Sequence, residues 1–76
     1  MEIKNFIRNF ADQFDGIEVE AITAETVFKE LDDWSSIVAL SVMAMVDEEY
    51  DVVLRGDDIR NANTIGNLFE IVNSKM

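Results

Sequence analysis

Seventy-six residues with 16 acids against six bases give a net charge of −10, with 49% hydrophobic residues and neither cysteine nor histidine. That length holds one small domain, residues 1–76, and the apolar fraction is enough for a core. The missing residue types exclude disulfides and thiolate metal sites and remove the commonest general base. The charge sets the chain against phosphate backbones and anionic membrane surfaces.

From the N-terminus, Ile3, Phe6, Ile7, Phe10 and Phe14 recur at three- and four-residue steps, with Lys4, Arg8 and Asp12 between them. This is the pattern of an amphipathic helix, and Asp15-Gly16 offers it a stop. The start, Met1-Glu2-Ile3-Lys4-Asn5-Phe6, lacks the basic head and apolar block of a secretory signal. No apolar run approaches the roughly 20 residues that span a bilayer, so a cytoplasmic location is expected.

Ile17, Val19 and Ala21 alternate with Glu18 and Glu20 like a half-buried strand, but the one other β-rich stretch is the short Val52-Val53-Leu54. A lone strand leaves its backbone groups without partners. Residues 17–35 are therefore expected to form a long tethered loop, anchored by Ile17, Val19, Ile22, Val27, Phe28 and Leu31. Thr23 or Thr26 is placed to cap a short helical turn within it.

Ser36 to Tyr50 is the best helix of the sequence and carries two apolar stripes. Ala39, Val42, Met43, Val46 and Tyr50 form one, and Ile37, Leu40 and Ala44 form a second that runs toward Asp47 and Glu48. A surface helix of a small bundle needs one apolar face. The second stripe is either buried or a docking surface, and on pattern alone burial comes first. Gly56-Asp57-Asp58-Ile59 opens a short helix with Asp57 as its expected cap. Thr64 starts the last helix, with Ile65, Leu68, Phe69 and Val72 inward, Lys75 near its end, and Gly66 weakening its first turn.

Several chemistries drop out. The glycines at 16, 56 and 66 stand apart, so no glycine-rich phosphate loop exists. The acidic stretches lack calcium-loop spacing, and so small a domain has little room for a sugar-burying cleft between two carboxylates. What remains is a serine at a helix mouth, where unpaired N–H groups and a partial positive charge suit a phosphate ester. A serine there is more often only a cap, worth about 1 kcal/mol, and either Ser35 or Ser36 can fill that role.

The run Ile22-Thr23-Ala24-Glu25-Thr26-Val27-Phe28-Lys29-Glu30-Leu31-Asp32-Asp33-Trp34-Ser35-Ser36-Ile37, with Asp47-Glu48-Glu49-Tyr50 beyond it, resembles the acyl carrier protein family. It is most similar to forms with a tryptophan-aspartate-serine-leucine signature. The likeness extends through Asp57-Asp58-Ile59 and Thr64-Ile65, and so covers nearly the whole chain. It implies an all-α, right-handed four-helix bundle, three main helices and one short, with a long first loop. It also implies that Ser36 is the serine modified with 4′-phosphopantetheine from coenzyme A, with Ile37 where leucine or methionine is usual. The second helix would be the recognition surface, presenting Ile37, Leu40, Ala44, Asp47, Glu48 and Asp51 to partners.

Two positions depart from the family pattern. Ser35 replaces the aspartate before the modified serine, which resembles a contact for the modifying enzyme, and Ser41 replaces an acid common among relatives. The resemblance thus predicts a monomeric carrier of acyl or aminoacyl thioesters, as in fatty acid biosynthesis and other lipid metabolism, with no enzymatic activity of its own. Its partners would be a phosphopantetheinyl transferase and acyl-transfer or synthase enzymes with basic docking patches. The competing expectation is an unmodified carrier-like module that binds a partner protein through the second helix.

Overall fold

The computed structural model describes residues 2–76, and among them all the regular structure is helical, with no strand. Helix α1 spans Ile3–Ala11, α2 Ser36–Tyr50, α3 Gly56–Asn61 and α4 Ile65–Ser74. Two 3₁₀ turns, Val19–Ala21 and Phe28–Glu30, lie in the long segment between α1 and α2. The result is a small bundle of three main helices and one short one. Helix α1 packs against both α2 and α4, and α3 packs against α4.

The phenylalanine repeat of α1 explains its place at the centre. Phe6 and Phe10 are fully buried, and Phe14 nearly so. Burying each such side chain contributes about 1.5–3 kcal/mol. The helix itself stops at Ala11, earlier than the expected Asp15-Gly16 stop. Its carbonyls go on accepting, from Gln13 N–H at Phe10 and from Phe14 N–H at Ala11, and these tighter turns swing Phe14 back onto the core. Gly16 then adopts a left-handed φ of 88°, a conformation that glycine enters without strain.

Residues 17–21 form no strand. Their alternation ends in the 3₁₀ turn Val19–Ala21, because no second strand lies alongside to pair with. Ile22 and Phe28 are buried anchors of the loop, and Ile17, Val19 and Leu31 pack against the core from its margin. Val27 is no anchor: it is 38% exposed, facing away as its neighbour Phe28 turns in. Thr23 and Thr26 cap each other rather than a helix. The Thr23 N–H donates to Thr26 Oγ1 at 2.8 Å and the Glu25 N–H to Thr23 Oγ1 at 3.2 Å.

That turn has a second task that the sequence does not announce. Its carbonyls accept from the first N–H groups of α4, Thr26 O from Ile65 at 3.1 Å and Ala24 O from Gly66 at 2.8 Å. Helix-initial donors otherwise lack partners. A Cβ on Gly66 would stand 3.1 Å from the Ala24 carbonyl oxygen. The glycine that weakens α4 on propensity therefore lets the loop approach it. Thr64 caps the same helix: its Oγ1 accepts from Asn67 N–H at 3.0 Å while Asn67 Oδ1 accepts from Thr64 N–H at 3.1 Å. Ile65, Leu68 and Val72 are fully buried beneath it.

Helix α3 is capped differently from expectation. Asp57 is not the cap; the Asp58 carboxylate accepts the N–H of Arg55, the residue before the helix, at 2.9 Å. Asp57 instead pairs with Arg60 in the open, where a single ion pair contributes little. Asp58 also reaches Lys75 at 3.3 Å, tying α3 to the end of α4. Lys29 Nζ donates to the Arg60 carbonyl at 2.7 Å and holds the second 3₁₀ turn against α3. Residues 52–54 belong to no regular element, with Val52 and Leu54 buried and Val53 71% exposed.

Candidate functional site

The mouth of α2 is fixed from behind by aromatic packing. Trp34 lies parallel to Phe10, 6.4 Å between ring centres, and meets Phe28 edge-on at 4.9 Å. Phe14 closes on the same indole at 6.3 Å. Edge-on and offset contacts of this kind favour defined ring positions, so the backbone entering α2 is held by three rings from α1 and the loop.

The two serines divide the work at this point. Ser35, in extended conformation, is the cap: its Oγ accepts from Val38 N–H at 3.3 Å and its carbonyl accepts from Ala39 N–H at 2.9 Å. Ser36 is the first helical residue and is exposed. Its hydroxyl enters none of the hydrogen bonds of the described residues, and the N–H groups of Ser36 and Ile37 likewise have no acceptor among them. An anionic ester on Ser36 would meet donors and the positive end of the helix dipole there.

From that point α2 shows its second stripe to solvent. Ile37 is 76% and Leu40 65% exposed, and Ala44 is exposed with them. The pattern alone favours burial; among the described residues no element covers this face. Asp47 and Glu48, three and four residues beyond Ala44, continue the same face. The face is apolar over its first turns and acidic over its last. Asp51 ends the helix in a left-handed conformation, φ 56°, with its N–H donating to Asp47 O at 3.1 Å. That capping task is one the charge pattern does not reveal.

The opposite side holds the helix in place. Val42, Met45 and Val46 are buried, with Ala39, Met43 and Tyr50 half-buried beside them. Met45 lies outside both stripes seen in the sequence and fills the core between them. The Tyr50 hydroxyl accepts from Asn9 Nδ2 at 3.0 Å, linking the end of α2 to α1.

Among the described residues no cluster of acids is arranged to hold a metal ion, and no helix is long and apolar enough to cross a membrane. Compared with known proteins, the chain matches no family model, no curated protein and no solved structure.

Proposed function

We propose that this protein is a carrier of the acyl carrier type, with Ser36 as the attachment point of a 4′-phosphopantetheine arm. The single observation that carries the proposal is the division of labour at the helix mouth. Ser35 caps α2, which leaves the Ser36 hydroxyl exposed and uncommitted beside unpartnered N–H groups. The resemblance through Trp34, Ser36 and the acids that end α2 supports the same assignment. When bound, the arm supplies a thiol that bears an acyl or aminoacyl group as a thioester, a group this cysteine-free chain lacks. Ile37, Leu40 and Ala44 would pack against partner enzymes while Asp47, Glu48 and Asp51 meet basic side chains. Charge attraction of this kind speeds encounter more than it tightens the complex, which suits a shuttle.

Intact mass after co-expression with a phosphopantetheinyl transferase tests the proposal. The expected result is a gain of one phosphopantetheine, absent in Ser36→Ala. A chain that gains no mass with several transferases would favour the second reading, an unmodified interaction module. The presence of Ser35 in place of an acid speaks for that alternative.

A further inference from the structure

Asp15-Gly16 stands in the exposed bend that follows α1, and nowhere else in the chain does a glycine follow an aspartate or an asparagine. Gly56 follows Arg55, and Gly66 follows Ile65. Three features of the bend open a backbone amide to the carboxyl beside it. The Gly16 N–H has no acceptor among the described residues. Gln13 Nε2 turns back to the Asn9 carbonyl, and no side chain among those residues bonds or pairs with the Asp15 carboxylate. Apart from its chain neighbours, nothing lies within 4 Å of where a Cβ on Gly16 would stand, and glycine has the widest backbone freedom of any residue.

The other aspartates are placed differently. The amide after Asp12 donates to Phe10 O at 3.1 Å, the one after Asp33 to Leu31 O at 3.0 Å and the one after Asp58 to Arg55 O at 3.3 Å. Asp32 and Asp51 precede amides without acceptors among the described residues, but those amides belong to Asp33 and Val52, whose Cβ atoms crowd the nitrogen.

We propose that Asp15-Gly16 is a self-modification site, at which the peptide link converts through a cyclic imide to an isoaspartyl link. The Gly16 amide nitrogen gives up its proton to water and attacks Cγ of the protonated Asp15 carboxyl. The N–Cγ bond forms, and the hydroxyl leaves as water. The imide then takes up a water molecule. Opening at the N–Cγ bond restores aspartate, whereas opening between the nitrogen and the main-chain carbonyl carbon leaves the chain running through Cβ and Cγ, with the α-carboxylate free. Charge is unchanged, but the main chain is one carbon longer directly after Phe14. That ring is buried, 6.3 Å from Trp34, so the longer link loosens the packing of a close-fitted seam. The inference is independent of any group on Ser36.

Incubating the whole protein in warm, neutral, heavy-oxygen water, followed by digestion and mass spectrometry, tests the proposal. The expected result is one heavy oxygen in the peptide that holds Asp15, and methyl labelling of the same peptide by an isoaspartyl-specific methyltransferase. Asp15→Glu keeps the charge and the exposed bend but closes its ring far more slowly, so it should lose both signals. Asp15→Asn, with ammonia as the leaving group, should convert faster and show the mass gain of an amide becoming an acid. The converted protein, separated by chromatography, should melt lower and emit to the red of the parent at Trp34. Absence of heavy oxygen from that peptide, or signals undiminished in Asp15→Glu, would overturn the site; an unchanged melting temperature would overturn its effect on the seam.

Discussion

Adjacent serines with different duties can be separated by substitution. Ser35→Ala removes the side-chain acceptor at the start of α2 and should destabilise the domain by about 1 kcal/mol, a fall of roughly 4–8 °C in melting temperature. Ser36→Ala should leave the melting temperature unchanged and abolish modification. Ser35→Asp keeps a good cap and supplies the acid that the resemblance expects before the proposed attachment serine, so on that proposal it should speed loading by a generic transferase at unchanged stability. A loss of modification in Ser35→Ala but not in Ser36→Ala would place the attachment one residue earlier. A second residue-scale test concerns Asp58, whose carboxyl is held below 3.8 by the Arg55 N–H; burial opposes this, and Lys75 adds to the lowering through a hydrogen bond and its charge. Because the folded value is depressed, Asp58 contributes stability above its unfolded pKa of about 3.9 and loses it as pH falls through the lower folded value. In melts across pH, Asp58→Asn should be less stable than the parent at pH ~7, and the gap should narrow as pH falls below about 4. A gap that stays constant with pH would mean that the charge of Asp58 plays no part.

Among the elements, the clip between the Thr23–Thr26 turn and α4 makes the firmest forecast. Gly66→Val would press its side chain on the Ala24 carbonyl and should cost about 1–3 kcal/mol, the usual scale of overpacking, read as a lower midpoint in urea. An unchanged midpoint would show that the loop yields freely. That clip was hidden from the sequence, which shows Gly66 only as a weak helix residue; close approach depends on a partner 42 positions away in the chain. What local chemistry dictates was legible: Ser36–Tyr50 as a helix, Thr64 opening α4, and Ile22 and Phe28 anchoring the loop. The exposure of Ile37, Leu40 and Ala44 was not, because periodicity says which residues share a face and not what covers it. Asp58 rather than Asp57 caps α3 because the carboxylate three positions into the helix reaches back to the preceding N–H. Ser36 could be placed at the helix mouth from the pattern, whereas the division between it and Ser35 needed the Val38 contact.

Across the whole molecule, repulsion outweighs pairing. Two ion pairs join the described residues, and neither involves Asp47, Glu48, Glu49 or Asp51 at the end of α2. Acids at a helix C-terminus also oppose its dipole. Added sodium chloride or a divalent cation should therefore raise the melting temperature through screening. Asp47→Asn with Glu48→Gln should leave the fold intact or slightly steadier while slowing association with carrier-dependent enzymes. Unfolding of that double variant would mean that these carboxylates hold the structure together, and the acidic end of the exposed face would lose its assignment to partners.

Trp34 is the one tryptophan of the chain, two residues before Ser36 and set among Phe10, Phe14 and Phe28. It is a half-buried indole at the seam of α1, the loop and α2. Its ultraviolet emission is thus a built-in optical reporter of one place, the entrance to α2. Colour and intensity follow the wetting of that seam, so loosening of the helix mouth, and the loading proposed for Ser36, can be watched in the unlabelled protein.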